Sequence, residues 1–355
     1  MQAPDFEEWP PGRVEPESRR PADEPFLFDS VLGAVGNTPL VRLTRLYPDL
    51  GLRLFGKLEA LNPGGSIKDR PALRILEEEM GKGRIDRDTV IVESSSGNMG
   101  VGLAQVCRYY GLRFICVIDP KTAEQNVRIL ETYGAEIERV EEPDPETGQF
   151  LPARIRRVES LVAHHRNSFW PNQYENRLNP ASHYATTMRE IVEALGSAPD
   201  YLIAATSTCG TIRGCGELIA EEGLSTKVIA VDSVGSQIFG DRKADRHIPG
   251  LGAAIQPPHL DTGLVWHAVV MSDLECVRGC RRLLDREAIL AGGSSGAVVS
   301  AVERVRDRLP DGATCALIFA DRGERYFDTV YSDRWVSETL RIDEEDGAAP
   351  LSSTA

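Results

Sequence analysis

Residues Asn62 to Arg70 read NPGGSIKDR, with Lys68 behind two glycines and a serine at the mouth of what reads as a helix. A lysine amine is a nucleophile or base only when it is unprotonated part of the time, which desolvation near other cations allows. Taken alone, Gly-Gly-Ser-x-Lys reads first as a solvated surface lysine after a turn. Three more segments put glycines and small hydroxyls between a strand and a helix or at a helix start: ESSSGNMG (93–100), TSTCGTIRG (206–214) and GGSSGA (292–297). Each leaves backbone N–H groups free at a helix N-terminus, which is a ready anion site. None has the Lys-Ser/Thr of a P-loop or reads cleanly as G-x-G-x-x-G, so ATP and NAD are poor candidates. One such turn alone is as well explained by the tight connections that α/β chains need.

Metal chemistry finds little support. The seven cysteines (107, 116, 209, 215, 276, 280 and 315) are odd in number and include no C-x-x-C pair. Several sit in apolar runs, such as Cys116 in FICVID and Cys315 in CALIFA, and read as small buried hydrophobes of a reducing compartment. Cys276 and Cys280 lie one helical turn apart without a second ligand pair. His164, His165 and His183 have no partner at ligand spacing and read as structural.

The elements that must hold these turns alternate along the chain. Strands are expected at 89–94, 114–120, 135–140, 201–207, 227–233, 268–272 and 315–320. Helices are expected at 69–81, 98–110, 122–133, 152–166, 182–195, 211–223, 273–285 and 295–308. Strands apolar throughout, separated by helices, indicate doubly wound parallel sheets, whose ligands bind beyond the strands' carboxyl ends. The length of 355 residues accommodates two domains, and 41% hydrophobic with 26% charged residues is ordinary globular composition. No run approaches the ~20 apolar residues that span a bilayer, and the acidic, Pro-rich N-terminus lacks a signal-type apolar stretch, so a cytoplasmic protein is expected. Net charge is −14; residues 1–25 contribute −4 and 340–355 contribute −3, leaving −7 on the body. That disfavours nucleic acid as a partner.

Lys68 and the three turns together resemble the fold-type II pyridoxal-phosphate enzymes of the cysteine synthase and cystathionine β-synthase family. The resemblance runs through GNTPLVRL (36–43), NPGGSIKDR, ESSSGNMG, QYENRLNPASHYATT (173–187), STCGT, GGSSGA and RGERYFDT (322–329), in the family's order and spacing over about 30–335. It implies that Lys68 binds the cofactor as a Schiff base and later takes the Cα proton. Asn98 would bond the ring hydroxyl, while Ser207, Thr208, Cys209, Gly210 and Thr211 would cradle the phosphate on the helix over 211–223. Ser294 would face the pyridine nitrogen. Ser95, Ser96, Asn98 and Gln173 would grip the substrate α-carboxylate. A serine at the ring nitrogen leaves the ring neutral, which favours loss of a β-substituent as the Cα proton departs, then addition of a nucleophile to an aminoacrylate.

Five positions depart from the common cysteine-synthase pattern: Ser207 and Cys209 in the cradle, Met99 after the asparagine, Tyr174 after the glutamine, and Arg322 before Gly-Glu-Arg-Tyr. Together they resemble a narrower branch, the synthases of N-(2-amino-2-carboxyethyl)-L-glutamate, which join O-phospho-L-serine to L-glutamate and feed 2,3-diaminopropionate into siderophores and peptide antibiotics. Hydroxyls of Ser207 and Tyr174 would orient the acceptor's carboxylates, and Met99 lies in the carboxylate loop. In PARIRRVES (152–160), Arg154 is the candidate cation for a phosphate leaving group. Arg154, Arg156 and Arg157 read equally as the solvated face of a helix. Other readings stay open: a cysteine synthase using O-acetylserine or O-phosphoserine with sulfide, a dehydratase, and a catalytically silent relative.

The family fold implies two α/β domains of the tryptophan synthase β type with the cofactor in the cleft: a smaller mobile one over 62–172 and a larger one from 30–61 with 173–338. Residues 1–29 and 339–355 read as disordered tails. A homodimer is the family expectation, and no regulatory domain is expected after residue 335.

Overall fold

The structure is a computed structural model that describes residues 27–240 and 244–340. The expected tails lie outside the described residues except at 27–29 and 339–340. Ten strands and ten α-helices follow in the order β1 (Leu40–Arg42), β2 (Arg53–Leu58), α1 (Asp69–Gly81), β3 (Val90–Ser94), α2 (Asn98–Tyr110), β4 (Arg113–Ile118) and α3 (Glu124–Tyr133) among the described residues. They continue with β5 (Glu136–Arg139), α4 (Phe150–His164), β6 (Ser168–Phe169), α5 (Leu178–Ala185), α6 (Thr187–Leu195), β7 (Tyr201–Ala205) and α7 (Gly210–Glu221). The last are β8 (Lys227–Ser233), β9 (His267–Met271), α8 (Asp273–Glu287), α9 (Gly293–Val305), β10 (Thr314–Phe319) and α10 (Asp333–Thr339).

Two sheets result. The larger has the order β1-β2-β10-β7-β8-β9, parallel except for the antiparallel edge strand β1; the smaller, β5-β4-β3-β6, is wholly parallel. Pleating sends neighbours along a strand to opposite faces, and both faces are covered. In the larger sheet, Ile203 and Leu317 pack with Val277 and Val298 of α8 and α9, while Leu202 and Ile318 pack with Ile212 and Leu218 of α7. In the smaller sheet, Ile91 faces Val101 and Leu103 of α2, and Val92 faces Val158 of α4. This is the expected α/β architecture of parallel sheets wrapped in helices.

All seven expected strands are present to within a residue or two at their ends. β1, β2 and the two-residue β6 were not anticipated; β2 carries two cations and a glycine (RLFGKL) and lacks a strand's apolar signature. The expected helix over 182–195 is two helices broken at Thr186 (φ −127°, ψ −66°). There the Thr186 hydroxyl donates to the Ser182 carbonyl at 2.7 Å, and Nδ1 of His183 lies 2.9 Å from the Thr187 hydroxyl. All seven cysteines are unpaired and buried, as expected. Among the described residues no helix is long and apolar enough to cross a membrane.

Candidate active site

The lysine turn is built by its neighbours in sequence. Gly65 has φ +87°, a conformation that side chains resist. A Cβ on Gly64 would lie 2.6 Å from the Asp69 carboxylate, which accepts the Gly64 N–H at 2.5 Å. Burial holds the Asp69 carboxyl up at about 7. Arg70 donates to both carboxylate oxygens of Glu59 at 2.7 Å and to Glu190 at 2.6 and 2.7 Å. Lys57 donates to Glu190 at 2.5 Å, and the Glu190 carboxyl is held near 2 by Arg70 and Lys57 although burial opposes it. Asp69 thus closes the lysine turn, and Arg70 fastens the start of α1 to Glu59, just after β2, and to α6. Lys68 itself is half-buried, and its amine has no hydrogen-bond partner among the described residues. Burial pushes that amine below the ordinary lysine range, with Asp321 partly opposing the shift.

The hydroxyl turn after β7 faces Lys68 across one small cavity, lined by Lys68, Ser207, Thr208, Cys209, Gly210 and Thr211 among others. Cys209 adopts a left-handed φ of +62° before α7, and a Cβ on Gly210 would lie 2.2 Å from Oδ1 of Asn179. Asn179 donates to the Thr208 hydroxyl at 3.2 Å and to the Gln173 carbonyl at 2.8 Å. Nε2 of His183 lies 3.3 Å from the Thr211 hydroxyl; burial, then the charges of Lys68 and Arg70, keep this histidine neutral. The first-turn N–H groups of α7 have no intrahelical acceptor. An amine facing free amides and hydroxyls across a closed turn fits an aldehyde-bearing phosphate ester such as pyridoxal phosphate.

Asn98 opens α2. Its Nδ2 donates to Asp321 at 2.7 Å, and its Oδ1 accepts from Arg325, whose other guanidinium nitrogen donates to the Gly64 carbonyl at 2.6 Å. The Tyr326 hydroxyl donates to the same Asp321 oxygen at 2.5 Å. Ile67 N–H donates to the Ala320 carbonyl at 2.8 Å, and Ala320 N–H donates to the Ser295 hydroxyl at 3.0 Å. The segment 320–326 therefore ties the lysine turn to Asn98 and to the first turn of α9, where Ser294 is buried. Asp321, Arg325 and Tyr326 were missed as individual residues; the signal was the quoted RGERYFDT, which Asp321 immediately precedes.

The substrate candidates divide. The Ser95 hydroxyl accepts the Gly100 N–H at 2.8 Å and so serves the start of α2, while the Ser96 carbonyl accepts from Asn126 at 3.1 Å. Met99 differs from the expectation. Its side chain is buried in the core between α2 and the smaller sheet, because the helix turns this position inward. Gln173 donates its N–H to Glu93 at 3.3 Å, and Glu93 also accepts from Trp170 at 3.2 Å. Burial lifts the Glu93 carboxyl to about 7, a residue that its apolar strand concealed in the sequence. Tyr174 follows; burial raises its phenol, against the pull of Arg154. Arg154 lies on α4 with its side chain 11% exposed and its Nε 3.3 Å from the Asp119 carboxylate. Its Nε and Nη1 are buried without a hydrogen bond. Arg156 and Arg157 pair instead with Asp144 and Glu138 at more exposed sites. Arg322 donates to the Ala60 carbonyl at 2.9 Å, beside the lysine turn. The described residues contain no cluster of three metal-ligating side chains.

Known proteins share both sequence and fold. The family of pyridoxal-phosphate dependent enzymes matches residues 31–321. A hydrogen sulfide-producing enzyme from Fusobacterium nucleatum is 32% identical, with a TM-score of 0.79 over 84% of this chain and 100% of its own. O-ureido-L-serine synthase is 29% identical, with a TM-score of 0.80 over 90% of this chain and 97% of its own. An O-acetylserine dependent cystathionine β-synthase from Helicobacter pylori is 30% identical, with a TM-score of 0.79 over 86% of this chain and 99% of its own. With the family match spanning most of the length and the lysine facing a hydroxyl-lined turn in one cavity, the chain belongs to the fold-type II pyridoxal-phosphate dependent enzymes.

Proposed function

We infer that this enzyme is a β-replacement synthase that condenses O-phospho-L-serine with L-glutamate, giving N-(2-amino-2-carboxyethyl)-L-glutamate, a precursor of 2,3-diaminopropionate, and inorganic phosphate. Bound pyridoxal phosphate supplies the electron withdrawal that lets a β-substituent leave an amino acid. Lys68 is the residue that carries the cofactor, and its Nζ takes the Cα proton; the lowered pKa of this desolvated amine supports both roles. Ser207 to Thr211 hold the cofactor phosphate, Asn98 the ring hydroxyl and Ser294 the ring nitrogen. Ser95, Ser96 and Gln173 receive the substrate carboxylate.

The observation that carries the choice of donor is Arg154. The Arg154 guanidinium has the Asp119 carboxylate 3.3 Å from its Nε, but Nε and Nη1 are buried without a hydrogen bond, and a second anionic group reaching Nη1 would satisfy it. A phosphate leaving group brings that charge, and Tyr174 and Ser207 orient the glutamate carboxylates. Residues 62–172 form the mobile domain, and 30–61 with 173–338 the larger one; closure excludes water from the cleft. The active unit is a homodimer of the cytoplasm.

Sulfide as the nucleophile is the second reading, drawn from the resemblance of the site motifs to those of the cysteine synthases. Purified enzyme supplied with O-phospho-L-serine decides between them, with phosphate release followed and products identified by mass. Glutamate-dependent release with the condensed amino acid as product is expected. Release driven by sulfide but not by glutamate would overturn the reading in favour of a cysteine synthase. Pyruvate as the main product with both nucleophiles present would mark a dehydratase.

A further inference from the structure

Asp321 is a fully enclosed carboxylate that the proposed chemistry does not use. It is 1% exposed, it follows Ala320 at the end of β10, and it forms a bridge with Ser66, two residues before Lys68. One of its oxygens accepts from Asn98 Nδ2 and from the Tyr326 hydroxyl; the other, Oδ1, is buried without a partner and points toward Gly292, where a Cβ would lie 2.1 Å away. A buried carboxylate with an unsatisfied oxygen costs stability, so its presence calls for a use. The use is visible on Asn98. A primary amide can be turned over by half a rotation, exchanging its donor and acceptor ends. Here the Nδ2 end is fixed by the Asp321 carboxylate and the Oδ1 end by Arg325, so only one orientation satisfies both partners. Tyr326 in turn holds the carboxylate.

We propose that Asp321, steadied by Tyr326, is a positioning residue that sets the amide orientation of Asn98 toward the cofactor ring. This rests on the reading of Asn98 as the residue that meets the ring hydroxyl. The route proposed for this effect is the hydrogen bond to Asn98; an effect of the Asp321 charge on Lys68 would instead survive the loss of Asn98.

The test is a double-mutant cycle on the holoenzyme with Asp321→Asn and Asn98→Ala, reading the cofactor dissociation constant and the position of the visible band of bound pyridoxal phosphate. Each single variant is expected to weaken cofactor retention about tenfold and to displace the band, and Asp321→Asn is expected to add almost nothing once Asn98 is gone. A full Asp321→Asn effect surviving in the Asn98→Ala background, or none in either background, overturns the proposal. An Asn98→Ala variant with wild-type retention and band sinks the underlying assignment of Asn98 instead. Should Asp321→Asn not fold, Tyr326→Phe decides, since it keeps the carboxylate and removes one of its donors. A band shift that vanishes in the Asn98→Ala background supports the proposal, and wild-type behaviour, or a shift that persists there, overturns it.

Discussion

Lys68 is the residue on which the proposed chemistry turns, and its burial favours the free amine. Burial lowers its pKa, and the charges of Asp321, Cys209 and Glu59 oppose that shift without cancelling it. In the cofactor-free enzyme near neutral pH, reductive methylation should therefore modify Lys68 several-fold faster than Lys82, Lys121 or Lys227, read by peptide mass. Rates indistinguishable from those surface lysines would mean that the amine is not desolvated. Arg154 makes a second prediction at this scale. Arg154→Gln should raise KM for O-phospho-L-serine by about tenfold or more while changing use of O-acetyl-L-serine less than about twofold. An equal loss with both donors would assign the arginine to folding rather than to the phosphate.

Among the elements, α1 is the one whose placement matters most, since Lys68 precedes its first residue. Arg70 is the pin: buried with it are Glu59, Glu190 and Lys57, and deleting one member leaves charges without a partner. Arg70→Ala should destabilise the fold by roughly 3–5 kcal/mol in denaturant titrations. A loss below about 1 kcal/mol would show that this network relaxes into solvent. The strand β3 is joined to the segment before α5 by Glu93, whose carboxyl keeps its proton to about 7 in the folded protein. In the unfolded chain the same carboxyl ionises near its ordinary, lower value. The stability that follows from the raised pKa is thus fully present in acid and is lost as pH rises through about 7, by up to about 3 kcal/mol. Thermal unfolding of wild type against Glu93→Gln from pH 5.5 to 8.5 should show wild type losing ground as pH rises. A difference independent of pH would refute the assignment.

For the whole molecule, the arrangement of two sheets bears on function through what lies between them. Asn98 and Ser95 belong to the helix and strand ends of the smaller sheet, whereas the hydroxyl turn and α9 belong to the larger one. If residues 62–172 close as a unit on the donor substrate, O-phospho-L-serine should slow hydrogen exchange at the α2 start, the α3 segment and residues 170–176. Exchange within α8 and α9 should stay unchanged. Uniform slowing of all these segments, or of none, would argue against closure of that domain.

Much of the site was legible because it is local. Apolar runs bounded by turn residues gave seven strands, and Gly-Gly before Ser-x-Lys, like Gly and hydroxyls before α7 and α9, reports backbone needs that act over a few residues. Nothing local announced β2, whose charged, glycine-containing sequence becomes a strand only because β1 and β10 flank it. The sequence by itself determined the α/β class, the lysine and the hydroxyl turns. Only tertiary structure decided that Met99 faces the core, that Arg154 is buried with two nitrogens lacking hydrogen bonds, and that Asp321 meets Asn98 across 223 residues of chain. The reason is physical: turn geometry and periodicity follow from neighbouring residues. Desolvation and long-range hydrogen bonds depend instead on sheet order and helix packing, which no short stretch encodes.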